Sequence, residues 1–130
     1  MLKITKTVEY ALIAIRHISH KNKLCSSREI SSNYNIPYEI MAKTLQRLCK
    51  TGYVYAIKGS QGGYYLKCSI DKVNLIEFIE DLEGPIGLVE CSIDETCNII
   101  KTCNIKSPIH KINNNIRTIL SKVSLQDIAS

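Results

Sequence analysis

Three cysteines with regular spacing are the residues of this chain best suited to bind or react. Cys91, Cys97 and Cys103 recur at intervals of six in the stretch CSIDETCNIIKTC. On an α-helix, residues six apart are rotated by about 600° around the axis, so the three thiols would point in different directions. The spacing therefore predicts an irregular loop that folds its cysteines around a bound species. Three thiolates leave a four-coordinate site one ligand short, and soft sulfur ligands suit zinc or iron–sulfur species.

The remaining cysteines follow no such pattern. Cys25, Cys49 and Cys68 are isolated, and we expect them to be small, partly buried apolar residues. An even count of six cysteines indicates disulfides only in a secreted chain, and no apolar run here resembles a signal peptide or a membrane span. We therefore expect a cytoplasmic protein, in which clustered cysteines bind metal more often than they pair.

Charge is unevenly distributed along the chain. The 130 residues carry a net charge of +5, but residues 1–73 hold twelve Lys and Arg against four Asp and Glu, a net +8. Residues 74–105 carry a net −6, and residues 106–130 return to +3. A basic N-terminal half predicts a polyanionic partner such as nucleic acid, whereas the acidic segment should face elsewhere. A solvated surface with uneven charge is the alternative.

Apolar residues at helical spacing predict the elements that must position these groups. The predicted helices cover 5–20, 27–34, 38–51 and 75–83. We expect side-chain caps at Ser26, paired with Glu29, and at Asn74, paired with Glu77. Between the third and fourth helices, two runs rich in Tyr, Val and Ile predict a hairpin with the glycine-rich tip KGSQGG, its strands at 53–57 and 64–68.

The last long helix has its own start signal. Ser107 is the expected N-cap and Pro108 the first helical residue of a helix over 108–123. Its isoleucines, Ile112 and Ile116 among them, form a stripe too apolar to leave in water, so we expect a homodimer through this helix. Ser124 then begins a short final turn.

These elements predict a mainly α fold with a small β-wing. A winged helix-turn-helix over 1–73 is followed by a helix and cysteine loop over 74–106. A dimerisation helix and C-terminal turn over 107–130 complete one integrated domain.

The predicted winged helix-turn-helix suits double-stranded DNA. Its second helix, which is the third helix of the chain, fits the major groove, and the glycine-tipped hairpin can reach the adjacent minor groove. Candidate contacts on the third helix of the chain are Tyr38, Glu39, Lys43, Gln46, Arg47 and Lys50. Candidate phosphate contacts elsewhere are Arg28, Lys58, Gln61, Lys3 and Lys6. A winged helix that binds only protein remains the alternative, and the absence of a catalytic motif argues against an enzyme.

Several segments together resemble the bacterial winged-helix regulators of the IscR, NsrR and RirA type, the Rrf2 family. The resemblance covers essentially the whole chain, and the combination of the wing with C-x5-C-x5-C is its most specific part. The segments are VEYALIAI, IPYEIMAKTLQRLCKTGYV, KGSQGGYYL, IEFIEDLEGPI, CSIDETCNIIKTCNIKSPIHKINNNI and VSLQDIA.

The resemblance implies a homodimer on a palindromic operator, with an iron–sulfur cluster held by the cysteines at 91, 97 and 103. It implies sensing of cluster, redox or nitric oxide status, and EGPIGLVEC resembles regulators of Suf and Isc cluster-assembly genes. A 2Fe–2S cluster is preferred to a 4Fe–4S cluster. A zinc or thiol-redox site in place of the cluster is the alternative.

The chain departs from the family pattern at two positions. Lys58 stands in the wing where Arg is common, and it offers a point charge without the planar guanidinium fork. Lys106 stands where IscR-like members have a histidine ligand. The resemblance then implies that Glu9, donated by the partner subunit, is the preferred fourth ligand and His110 the local alternative, ahead of His17 and His20.

Overall fold

The computed structural model describes residues 3–87 and 104–130. The described part contains six α-helices and one two-stranded antiparallel sheet. The helices are α1 Lys6–Lys21, α2 Ser27–Tyr34, α3 Tyr38–Lys50, α4 Leu75–Glu83, α5 Lys106–Ser121 and α6 Leu125–Ala129. The strands are β1 Val54–Ile57 and β2 Gly63–Leu66, and a short 3-10 turn covers Ile70–Lys72. The predicted fold class, mainly α with a β-wing, is confirmed.

Helix α1 is the centre of the molecule and packs against α3, α4, α6 and β2. Thr5 caps its start, accepting a hydrogen bond from the N–H of Val8. Its inward stripe of Val8, Ala11, Ala14, Ile15 and Ile18 is fully buried. Small alanines within this stripe let neighbouring elements approach the helix axis closely.

The helix-turn-helix is formed by α2 and α3. Ser26 caps α2 through the N–H of Glu29, as its spacing predicts. The turn between the helices places Asn35 at φ 54°, a left-handed conformation that asparagine tolerates better than most residues. Ile36 then enters the core, and Pro37 precedes α3. Helix α3 buries Met41, Leu45 and Leu48, together with Thr44.

The wing is anchored to the start of the helix-turn-helix. Strands β1 and β2 pair in the register Val54 with Leu66 and Ile57 with Gly63. Tyr64 also exchanges two backbone hydrogen bonds with Cys25, at 3.0 and 2.8 Å. A Cβ at Gly63 would lie 2.9 Å from the Cys25 carbonyl, so glycine is required where strand β2 passes the segment before α2.

The C-terminal segment returns to the N-terminal half. The N–H of Leu75 donates to the carbonyl of Val123 at 2.7 Å, and the N–H of Leu125 donates to the carbonyl of Val73 at 2.9 Å. Ser124 caps α6 in a capping box with Asp127. Helix α6 packs against α1 and the 3-10 turn. No helix in the described ranges is long and apolar enough to cross a membrane.

Helix α5 starts earlier than predicted. It begins at Lys106, and Ile105 occupies the N-cap without a side-chain hydrogen bond, so the prediction of Ser107 as the cap is wrong. Pro108 still lies in the first turn, where its missing N–H costs no intrahelical bond. Helix α5 ends at Ser121, short of the predicted boundary.

Candidate nucleic-acid interface and cysteine-loop site

A groove of about 700 Å³ runs between α3, the start of α2 and the wing. Gln46 and Lys50 of α3 line one wall, and Lys58 with the wing glycines lines the other. A second depression of about 290 Å³ is lined by Lys43, Gln46, Arg47 and Lys50. The fold therefore brings Lys43, Gln46, Arg47, Lys50 and Lys58 to one continuous face, which we call the basic face.

The cations of the basic face are not neutralised by the protein. Within residues 3–87 and 104–130, ion pairs involve Lys6, His17 and Arg117, and none involves a cation of this face. The four cations of the face, Lys43, Arg47, Lys50 and Lys58, are exposed, and so is Arg28 of α2. Unpaired cations on one face are available to neutralise phosphates.

Arg28 and Tyr38 form a cation–π pair at the N-terminal end of α3, outside the two depressions. The Arg28 guanidinium lies 4.6 Å from the centre of the Tyr38 ring. Tyr38 opens α3 and is 43% exposed, so it is a surface residue rather than core packing. The pair fixes an arginine at the N-terminal end of α3, beside Glu39, where residues of such a helix meet base edges.

Other predicted contacts lie elsewhere. Gln61 is exposed at the wing tip and lines neither depression. Lys6 pairs with Glu9 at 3.3 Å. Lys3 lines a cavity with Ile79, Ile86 and Ile116 on the α4–α5 side of the molecule. The structure thus separates both N-terminal lysines from the groove.

Sequence reasoning missed Ile40. This residue is 43% exposed on α3, among the polar candidates. An exposed isoleucine can contact a thymine methyl group in the major groove. The signal was present, because position 40 falls outside the stripe of Met41, Leu45 and Leu48 that faces the core.

The acids of α4 are used within the molecule. Arg117 of α5 donates two hydrogen bonds to the carboxylate of Glu80, each 2.9 Å long. The same carboxylate accepts the N–H of Ile86 at 3.1 Å. The hydrogen bond from Arg117 holds the pKa of Glu80 below its usual value. Glu80 therefore ties the segment after α4 and helix α5 into one unit.

We expect Arg117→Met to destabilise this unit. Charge-assisted hydrogen bonds contribute about 1.5–3 kcal/mol to stability. Because the Arg117 side chain is 35% exposed and solvent screens the pair, we expect the free energy of unfolding to fall by about 1 kcal/mol. The lowered pKa of Glu80 means that this stability is present above its ordinary pKa of 4.5 and disappears as the pH falls through the lowered value. Urea unfolding at neutral and acidic pH measures the difference, with the exposed Lys111→Met as control. An equal loss at both pH values contradicts the pairing.

Cys91, Cys97 and Cys103 lie outside the described residues, so their arrangement stays a prediction. The two candidate fourth ligands are described. Glu9 lies on α1 with its side chain 47% exposed and only Lys6 as an ionic partner among the described residues. His110 lies on α5, and its Nε2 is buried without a hydrogen-bond partner in the part of the chain that the structure describes.

Exposed isoleucines mark one face of α5. Ile105, Ile112 and Ile119 are 54%, 48% and 64% exposed. They recur every seven residues, the spacing of a seam between packed helices. Ile116, which the sequence placed in the same stripe, instead lines the cavity against Ile79 and Ile86. Ile105 at the N-cap, with Ile112 and Ile119 of α5, forms an exposed apolar row, which we call the isoleucine seam.

Comparison with known proteins identifies relatives over the full length. The profile of the family described as Rrf2, iron-dependent transcriptional regulator, matches residues 4–130. The HTH-type transcriptional regulator NsrR of Bacillus licheniformis is 30% identical, with 98% of this chain and 92% of the relative aligned. NsrR of Halalkalibacterium halodurans is 28% identical, with 98% and 90% aligned.

Solved structures share the fold. CymR, the global cysteine regulator of B. subtilis, superposes with a TM-score of 0.78 at 27% identity, covering 99% of this chain and 97% of that one. IscR of T. potens superposes with a TM-score of 0.74 at 21% identity, covering 98% and 85%.

Proposed function

The chain belongs to the Rrf2 family of iron-dependent transcriptional regulators, and from this premise we propose that it is a homodimeric DNA-binding regulator controlled by an iron–sulfur cluster. It is a transcriptional regulator and not an enzyme. The observation that carries the DNA-binding part is the basic face, where α3 and the wing present unpaired cations on one side. The proposed targets are palindromic operators of cluster-assembly genes.

In the proposed complex, α3 and the wing contact different parts of the DNA. Residues at the start of α3 contact base edges, and Lys43, Arg47 and Lys50 contact phosphates beside them. Lys58 follows the backbone into the minor groove next to the site. Arg28, held against Tyr38, completes the contact at the N-terminal end of α3.

We expect operator affinity to fall steeply with salt, because each cation that meets a phosphate releases a counterion. Arg47→Ala and Lys58→Ala should each lower the slope of log affinity against log salt by about 1. Lys58→Ala should weaken binding most on A·T-rich flanks. Fluorescence anisotropy at several salt concentrations gives the slopes.

The control is Lys72→Ala, an exposed lysine in the 3-10 turn that does not line the groove. A slope unchanged in Lys58→Ala removes the wing from the proposed interface. A slope lowered equally by Lys72→Ala shows that the effect is only one of overall charge.

For the cluster, the proposed ligands are Cys91, Cys97 and Cys103 with one further residue. A buried imidazole nitrogen without a hydrogen-bond partner is costly unless a ligand occupies it, and Nε2 of His110 is such an atom. The donor set of three thiolates and one imidazole fits iron–sulfur ligation. This favours His110 from the same chain, whereas the resemblance favours Glu9 from the partner subunit.

Two variants separate the fourth ligands. His110→Ala should shift the visible spectrum of the anaerobically reconstituted protein and speed cluster loss in air, because the site loses a ligand. Glu9→Ala should leave the visible spectrum and the rate of cluster loss unchanged if His110 is the ligand. The reverse pattern assigns the carboxylate, and two unchanged spectra exclude both residues.

A cluster-free regulator is the second candidate, in which the loop cysteines bind zinc or respond to thiol oxidation. The 27% identity with CymR, a cysteine regulator in B. subtilis, favours it. Zinc accepts three thiolates with a histidine or carboxylate as readily as iron does. Iron, zinc and sulfide contents of anaerobically purified protein distinguish the two candidates.

A further inference from the structure

Three metal-ligating side chains converge away from the cysteine loop, inside the winged helix. They are His17 of α1, Cys25 in the segment before α2, and Glu29 in the first turn of α2. Their donor atoms all lie within 4.8 Å of one another. We propose that this His17–Cys25–Glu29 cluster is a binding site for one divalent transition-metal ion of the zinc class.

The chemistry of the three donors suits such an ion. Zinc takes nitrogen, sulfur and oxygen ligands at about 2.0–2.3 Å, so tetrahedral ligand atoms stand about 3.3–3.8 Å apart. In the metal-free protein, Nε2 of His17 and Oε2 of Glu29 are hydrogen-bonded at 2.6 Å. A metal replaces the shared proton and moves the two atoms apart by about 1 Å, a change that the Glu29 side chain can provide. A water molecule completes the set.

The surroundings orient the donors. The other ring nitrogen of His17, Nδ1, is 2.9 Å from the hydroxyl of Tyr34. A metal-binding histidine usually has a partner at its second nitrogen, which fixes the ring and its tautomer. The ring of Tyr34 meets His17 edge-on at 5.5 Å, which limits rotation of the imidazole. The histidine is thus held with Nε2 towards Cys25 and Glu29.

Burial separates the cluster from an ordinary surface pair. Cys25 is fully buried and the His17 side chain is 3% exposed, whereas the Glu29 side chain is 30% exposed. Two ligands are therefore shielded, and the carboxylate gives a path for the ion from solvent. Burial, followed by the charge of Glu29, raises the pKa of the Cys25 thiol to about 11.

The position connects the site to the basic face. Cys25 carries the backbone bonds to Tyr64 that hold β2, and Glu29 lies one residue after Arg28 on α2. An ion bound by both residues restrains the wing and the start of α2 relative to α1. The site does not depend on the proposed cluster, since none of its ligands belongs to the loop.

The test uses the full chain with Cys91, Cys97 and Cys103 replaced by serine, which removes the loop thiolates. Titration with Co²⁺ should give one equivalent bound, with tetrahedral visible bands and a near-ultraviolet thiolate band. Zinc should displace the bound Co²⁺ and abolish these bands. Cys25→Ser should abolish the thiolate band, His17→Gln should weaken binding at least tenfold, and Tyr34→Phe about tenfold.

Cys68→Ser is the matched control, because Cys68 is half-buried and its thiol, like that of Cys25, donates to a backbone carbonyl. Circular dichroism of each metal-free variant shows whether that variant folds. Tyr34→Phe keeps all three ligands, so it still tests the site if another variant fails to fold. Zinc content of the wild type should exceed that of its Cys25→Ser variant by one equivalent. Co²⁺ bound without a thiolate band, or held equally by Cys25→Ser, overturns the proposal, whatever the loop cysteines bind.

Discussion

Serine in place of any one of Cys91, Cys97 or Cys103 should leave anaerobically reconstituted protein without its visible chromophore and with little bound iron or sulfide. A hydroxyl is a poor ligand for iron–sulfur species compared with a thiolate, and the cluster has only these three cysteines near one another in sequence. Absorption spectra with iron and sulfide determination on each variant measure the effect.

The matched control is Cys49→Ser, a half-buried cysteine that lines the groove between α3 and the wing. It should keep the chromophore. Full iron and sulfide content in any of the three loop variants removes that cysteine from the ligand set. Equal loss in Cys49→Ser indicates that the protein, not the ligation, has been damaged.

Aspartate at both Ile112 and Ile119 should convert the proposed dimer into monomers and lower operator affinity by about 100-fold or more. These residues carry the isoleucine seam, and a buried unpaired charge is strongly unfavourable in an apolar interface. A monomer loses the second recognition helix, and with it the gain from binding two half-sites together. Analytical ultracentrifugation and anisotropy on the palindromic operator give the two results.

The control places the same charges off the seam. Asn114→Asp with Thr118→Asp adds two carboxylates at exposed positions of α5 and should leave the dimer intact. Ile116, which the sequence alone places in the same apolar stripe, is less suitable because it lines a cavity with Ile79, and its change would also disturb α4. A dimeric Ile112→Asp/Ile119→Asp protein means that the subunits meet elsewhere.

Local signals allowed most of the fold to be predicted. Ser26 and Asn74 are side-chain caps at the expected positions, because capping depends on residues only three apart. The Ser107–Pro108 signal was misleading, since the helix begins at Lys106 and a backbone start without a side-chain cap leaves no mark in the sequence. The winged helix and the family membership are confirmed because their signals extend over many residues.

Sites formed by residues far apart in the chain could not be predicted from the sequence. Cys25 is fully buried, where the sequence predicted a partly buried cysteine, and its position beside His17 and Glu29 depends on the tertiary arrangement of α1, α2 and the segment between them. Ile119 is exposed whereas Ile116 is half-buried beside α4, and this difference depends on how α5 is tied to α4 by Arg117 and Glu80. Periodicity identifies an apolar stripe but does not divide it between the core and a partner.

Operator affinity of one preparation, measured before and after removal of its cluster under anaerobic conditions, tests the regulatory claim most directly. A ligand that shifts the dimer between two arrangements of α3 should change affinity by about 5- to 150-fold, the range of allosteric coupling. Iron, sulfide and zinc are counted in both samples. The account predicts stoichiometric iron and sulfide in the first sample and an affinity change of that size in the second. Colourless protein with stoichiometric zinc and no iron, or equal affinity with and without the cluster, contradicts it.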